Sequence, residues 1–313
     1  MFKPAEKVKK KLKIVVYGAS GVGKSWFALL ANGRKAVIDT ENGTDFYADK
    51  FEFDVFKTRK YTDVIAAIEH IENNPDKYDV LIIDPITNIY QTLKDAAQVA
   101  AEKRAVRKRR SIEDVSLTQR DWGSIKQKYT SLISRLCNLP CHVIITGWVK
   151  DVYEGEGENR KKVGTSIDAD KKTEYQPDVI IHLQTNGQGQ RFGVIEKDRT
   201  MTYQKGQSVK DISFNDFLDA VTDEGAAETR LQTEEEAAEQ EANGFEYVSS
   251  ETIEAVKTKW LEKGFEPRKL IAQANSLYGV SDIYKLTESQ GLDLLTLLTD
   301  MKANQKKGTG DDK

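Results

Sequence analysis

At 313 residues the chain has length for one medium domain and something smaller, enough to bury a sizeable core. A hydrophobic fraction of 39% beside 31% charged residues describes a soluble fold with a heavily charged surface. The net charge of −3 excludes a uniformly basic nucleic-acid binder, so any such contact must come from local patches, and no apolar run approaches the ~18 residues of a membrane span.

Residues 1–11 read as a basic arm without the apolar stretch of a secretory signal. The organising segment follows, from Leu12 to Glu41. Ile14 to Tyr17 is a short apolar run, Gly18 to Ser25 fits G-x-x-x-x-G-K-[ST], and Trp26 to Ala31 continues as a helix. Strand, glycine-rich turn and helix in that order predict a phosphate-binding loop. Gly18, Ala19, Ser20, Gly21, Val22, Gly23, Lys24, Ser25 and the adjoining Trp26 are the expected nucleotide-binding residues. Backbone N–H groups would close around the phosphates of ATP, Lys24 would reach the β- and γ-phosphates, and Ser25 would hold Mg²⁺.

Lys35 to Asp39 reads as a second strand and Phe51 to Phe56 as a third. Val64, Ile65, Ile68 and Ile71 recur at helical spacing, and Asn73-Asn74-Pro75 stops that helix. Tyr78 to Asp84 is a buried-strand pattern ending in an acid. An amphipathic helix runs from Trp122 to Leu139, ended by Pro140, and strands follow at His142–Thr146, Val179–Leu183 and Phe192–Ile195. Strands alternating with helices predict an α/β fold, a P-loop NTPase core over 12–221 with a mostly parallel sheet. Two cysteines, Cys137 and Cys141, suit a reducing, cytoplasmic setting and read as core or strand-edge residues rather than half a metal site.

Composition changes near Thr222. Residues 222–243 hold eight acids and one Arg, which predicts a solvated linker over 222–246. Residues 247–303 then predict a small three-helix domain. Ser250 is the expected cap of its first helix, Gly264 closes it, Pro267 opens the second, and Thr287 with Gln290 makes a capping box for the third. Residues 304–313 are the expected disordered tail.

An NTP hydrolase needs further parts. Asp84 is the expected Mg²⁺-ordering acid at the end of its strand. Pro85 follows it, so the carboxylate that activates water must come from elsewhere. Glu41, just past the second strand, is the candidate, with Asp39 as the alternative. Thr146, ending a neighbouring strand, is a candidate sensor of the γ-phosphate. Lys197 and Arg199, beyond the late strand, are candidate charges supplied to a neighbouring subunit. Two long connections remain. Residues 101–121 carry six Lys/Arg in their first ten positions, and 149–176 mix Gly, Lys and acids. Long loops of this kind suit phosphate-backbone contact, through Arg104, Arg107, Lys108, Arg109 and Arg110, with Tyr153 as a stacking residue; the alternative for the first is a solvated helix face.

Gly18 to Ser25, the Val37-Ile38-Asp39-Thr40-Glu41 strand end, Leu81 to Asp84, the Thr146 strand and Lys197-x-Arg199 together resemble the RecA-like core ATPases. The likeness is to phage-encoded, short RecA/Rad-like recombination ATPases linked to single-strand annealing, the Sak type, and covers roughly 12–215. It implies a RecA-like core in which Glu41 supplies catalysis, the two connections bind single-stranded DNA, and Lys197-x-Arg199 reaches across subunits of a ring or filament. It further implies a DNA-stimulated ATPase acting in recombination or annealing in the host cytoplasm, with a phage single-strand-binding or replication protein as candidate partner of the helical domain. A replication motor or helicase loader is the alternative with the same core motifs. The chain departs from the family in having only a short basic arm before the core, and in the linker and helices after it.

Overall fold

The computed structural model describes residues 8–113, 115–155, 159–221, 226–227, 236–238 and 247–301. The expected linker lies mostly outside these residues, as do positions 1–7 of the basic arm and the whole expected tail. The chain divides between Thr233 and Glu234 into two compact units. The first runs β1 (Val8–Lys9), β2 (Lys13–Gly18), α1 (Lys24–Leu29), β3 (Lys35–Asp39), β4 (Asp54–Lys57), α2 (Tyr61–Glu72), β5 (Val80–Asp84), α3 (Ile86–Arg107), α4 (Gln119–Asn138), β6 (His142–Glu154), β7 (Lys161–Ile167), α5 (Lys172–Tyr175), β8 (Val179–Thr185), β9 (Arg191–Asp198), β10 (Ser208–Lys210) and β11 (Ala226–Ala227).

Nine strands form one sheet in the order β10-β9-β8-β2-β6-β5-β3-β4, with β7 beside β6. From β8 to β4 every ladder is parallel, while β9, β10 and β7 join antiparallel. A separate parallel pair joins β1 to β11. The central strands are apolar at successive positions because both faces are covered. Ile14, Val16, Val37, Ile82 and Ile144 pack with Phe27 of α1 and with Phe214 and Phe217, whereas Val15, Tyr17, Ile38, Leu81, Ile83 and Ile145 pack with Ile68 of α2, Ile89 of α3 and Leu132 of α4. Each fully buried Ile, Leu or Phe removes enough apolar surface to contribute ~1.5–3 kcal/mol. Cys141 is buried and Cys137 half-buried; burial pushes the Cys137 thiol up to about 11, as befits inert core residues. Among the described residues no helix is long and apolar enough to cross a membrane.

Both long connections prove to be regular structure over much of their length. Residues 101–107 extend α3, since Ala-Glu-Lys-Arg-Ala is good helix-forming sequence, so Arg104 and Arg107 lie in its last turn and only the stretch from Lys108 to Thr118 links it to α4. Gln98 Nε2 donates to the Val115 carbonyl and Arg104 pairs with Asp121 at 2.7 Å, so the two helices meet as an antiparallel pair near that turn. Residues 149–167 form the β6–β7 hairpin with a bulge at Val152/Tyr153; positions 156–158 lie outside the described residues. The expected strand at 51–56 is shorter, Asp54–Lys57, and forms the sheet edge with every residue exposed.

The second unit contains α6 (Ser250–Glu262), α7 (Lys269–Tyr278) and α8 (Glu288–Asp300) around Val256, Trp260, Leu270, Leu294 and Leu298. Thr287 and Gln290 form the capping box of α8. The cap of α6 is Ser249, one residue before the expected position, because Ser249 keeps an extended backbone (ψ 153°) and its hydroxyl accepts from the Thr252 N–H.

Candidate nucleotide site

The parallel strands bring their C-terminal ends to one edge, where β2 ends at Gly18. A Cβ on Gly18 would lie 2.3 Å from the Leu183 carbonyl oxygen, so β8 packs against the loop too closely for any other residue. Gly23 has φ 92°, a left-handed conformation costly for side-chain-bearing residues, and from it α1 departs. Between these glycines the backbone wraps a cleft of about 410 Å³, lined by Lys24, Ser25, Glu41, Tyr47, Asp84 and Trp148 as well as by Gly18, Ala19, Ser20, Gly21 and Gly23.

Lys24 Nζ donates to the carbonyls of Gly18 (3.1 Å) and Ala19 (2.8 Å), which hold the ammonium over the loop. Burial pushes its pKa down, and the carboxylates of Asp84 and Glu41 oppose that shift. Asp84 is 8% exposed, and burial raises its carboxyl pKa against hydrogen bonds from the Thr146 and Ser25 hydroxyls. Thr146 Oγ1 donates to Asp84 Oδ1 at 2.5 Å. The two β-strand ends beyond Asp84 are stitched by Thr40, whose N–H donates to the Asp84 carbonyl and whose Oγ1 donates to the Pro85 carbonyl; Asn88 Nδ2 in turn donates to Thr40.

Thr146 is therefore not where a phosphate sensor must be. It is fully buried, absent from the cleft lining, and its hydroxyl fixes the Asp84 carboxylate. The two candidate bases also separate. Asp39 is buried and accepts five hydrogen bonds, from the N–H groups of Glu41, Asn42, Gly43 and Thr44 and from the Thr44 hydroxyl. Burial works against its charge, but those donors win and hold the carboxyl below its usual range. Both Asp39 oxygens thus shape the 40–44 turn. Glu41, carried on that turn, faces the cleft, and its Oε1 accepts from Trp148 Nε1 at 2.7 Å.

Two loop residues lie off the cleft. Val22 turns into the core, and Trp26 packs edge-on against Tyr47 and Phe51. Lys197 and Arg199 lie at and just past the end of β9, which runs antiparallel to β8, so they sit at the sheet edge opposite the loop. Lys197 Nζ donates to the Glu174 and Tyr175 carbonyls, and Arg199 to those of Tyr175 and Gln176, closing the end of α5. Arg191, six residues earlier and so ~20 Å away along the strand, reaches the loop instead: a Cβ on Gly23 would meet its Nη1 at 3.0 Å. Trp148, Asn88 and Arg191 were not singled out from the sequence. A Trp directly after Thr146-Gly147 at a strand end was the one available signal.

Of the basic residues expected to meet DNA, Arg104, Lys108 and Arg110 line a cavity of about 440 Å³ with Ser111 and Thr118. Arg107, Lys108, Arg109 and Arg110 are exposed, while Arg104 is spent on Asp121. Tyr153 stands half-exposed on β6, with the Arg160 guanidinium 4.4 Å from its ring centroid. A larger groove of about 760 Å³ runs past Arg34, Asp45, Asp54 and Asp79 and contains none of the motif residues.

Ser25 and Asp84 offer adjacent oxygens, a donor set that suits a hard divalent cation whose remaining ligands are water and phosphate. Among the described residues no cluster of three or more His, Cys, Asp or Glu could cage a metal alone. A family model described as an AAA domain (AAA_24) matches residues 10–210, more than half of the chain and the whole nine-stranded sheet. No curated protein matches the chain.

Proposed function

We propose that this chain, which belongs to the AAA_24 family of AAA-domain P-loop ATPases, hydrolyses ATP in the cleft at Lys24 and couples turnover to single-stranded DNA in recombination or annealing. The observation that carries the ATPase reading is the convergence of Lys24 and Ser25, Asp84 and Glu41 on one cleft from three separate segments.

The loop N–H groups and Lys24 bind the β- and γ-phosphates and neutralise charge that builds on them during transfer. Ser25 and Asp84 would hold Mg²⁺, which would supply positive charge against the developing negative charge of the phosphates. Glu41 accepts a proton from the attacking water, so that water oxygen bonds to the γ-phosphorus as the bond to the ADP oxygen breaks. Thr146 keeps Asp84 aimed at the metal position. Lys197 and Arg199, about a strand length from their own loop, would act only on a neighbouring subunit's nucleotide, consistent with a ring or filament. RecA-like, Sak-type kinship is part of this reading, supported by the motif order; its DNA side rests on the exposed basic turn after α3 and on the β6–β7 hairpin.

The DNA contact has a direct test. Replacing Arg107, Lys108, Arg109 and Arg110 with Gln, with Arg104 left to hold Asp121, is expected to weaken single-strand binding and flatten its salt dependence. Each lost phosphate contact lowers the slope of log K against log salt by ~0.7 through counterion release. Fluorescence anisotropy of a labelled oligonucleotide at several salt concentrations measures it. An unchanged slope would assign these side chains to a solvated surface.

A further inference from the structure

Trp148 stands where three parts of the chain meet. Its backbone is the last position at which β6 pairs with β2, opposite Gly18 at the start of the phosphate loop. From Val149 onward β6 pairs with β7 instead, opposite Ile167, so the hairpin begins one residue later. The Trp148 N–H donates to Thr87 Oγ1, three residues past Asp84, and its carbonyl accepts from the Asp168 N–H where β7 returns. Both arms of the hairpin are therefore anchored on this one residue. Its indole, 43% exposed, lines the nucleotide cleft and donates to Glu41 Oε1.

We infer that Trp148 is the positioning residue for Glu41 and the link through which a ligand on the β6–β7 hairpin governs hydrolysis. Glu41 sits on a turn whose backbone is fixed by Asp39, but the Glu41 side chain has rotatable bonds that the turn does not restrain. An N–H donated to one carboxylate oxygen fixes those rotations and leaves Oε2 for the attacking water. General-base catalysis depends steeply on this geometry. On the hairpin Lys162 pairs with Asp151 and Lys150 with Asp168, which leaves exposed Tyr153, with Arg160 over its ring, and Lys161 as the groups that suit a phosphodiester strand. A strand bound there would stiffen the hairpin root and with it the indole, raising the fraction of time Glu41 is aimed at the γ-phosphate. The inference rests on the ATPase and single-strand reading above, and it assigns that reading's coupling to one bond.

Trp148→Phe keeps an aromatic ring at a half-exposed position and removes the N–H. Steady-state ATP turnover of the full-length variant and wild type, with and without an oligo-dT strand, gives kcat and KM, and anisotropy gives strand affinity. The expected result is a several-fold fall in strand-stimulated kcat, to near the strand-free rate, with KM for ATP and strand affinity unchanged. A wild-type stimulation ratio in Trp148→Phe overturns the inference, and so does a ratio lost together with strand affinity. A second readout is independent of activity: the emission of wild type minus that of Trp148→Phe isolates Trp148, and Glu41→Ala should shift it. If wild-type turnover ignores the oligonucleotide, the single-strand reading fails. The emission then decides alone: no shift on Glu41→Ala overturns the Trp148–Glu41 contact.

Discussion

Lys24→Ala is expected to abolish ATP turnover and to weaken nucleotide binding by about 10- to 100-fold, the worth of one hydrogen bond to a charged partner of ~1.5–3 kcal/mol. The ammonium is the cation that the loop itself contributes to the cleft, and the Gly18 and Ala19 carbonyls hold it there. Burial lowers its pKa, and the Asp84 and Glu41 carboxylates offset only part of that shift. An anionic phosphate would add a stronger partner, and alanine removes the group that meets it. The fold should survive, because among the described residues the Lys24 side chain bonds to the Gly18 and Ala19 carbonyls of its own loop and packs into neither core cluster. Titration with a fluorescent ATP analogue, paired with a thermal melt, measures both. Near-normal affinity in a folded variant would move the phosphate site elsewhere.

Glu41→Gln should behave differently, retaining ATP binding and losing about 10²–10⁴ in kcat, the usual worth of a general base. The amide has the shape of the carboxylate and its carbonyl oxygen can still accept from Trp148 Nε1, so position is kept and only the proton acceptor is lost. Asp39→Asn provides the contrast. Asp39 shapes the 40–44 turn with both oxygens, and an amide at that position leaves one nitrogen facing N–H donors, so the change should lower the melting temperature as well as turnover. Single-turnover phosphate release separates the two variants. Wild-type release from Glu41→Gln would transfer the role of base to another group.

Much of the central sheet was legible because local sequence decided it. Ile14–Tyr17 and Val80–Ile83 are apolar without interruption, as strands covered on both faces must be. The phosphate loop was equally legible, since its glycines serve backbone requirements that hold wherever the chain goes. Strand order was not readable: β6 lies between β2 and β5, and nothing local to Ile144-Ile145-Thr146 announces that neighbourhood. That gap explains Thr146. Its strand was identified, but only the order of strands places its hydroxyl on Asp84 rather than toward a phosphate. Lys197 and Arg199 lie opposite the loop for a similar reason, the antiparallel return of β9 after β8. The hairpin of β6 and β7 is not legible as strands because its exposed residues carry Lys, Gly and acids on both faces, which erases the period-two pattern. The end of α3 is the helical alternative for residues 101–107, which their helix-forming composition supports and the six basic residues of 101–110 leave open between helix and loop.

The central claim is that the cleft at Lys24, Asp84 and Glu41 hydrolyses ATP and does so faster on single-stranded DNA. Phosphate release by the full chain with Mg²⁺, measured with and without an oligo-dT strand, tests it most directly. The account expects release in both conditions, several-fold faster with the strand and lost in Glu41→Gln. Release at one rate in both would contradict the coupling to DNA, and no release from a chain verified as folded and bound to ATP would contradict the ATPase itself.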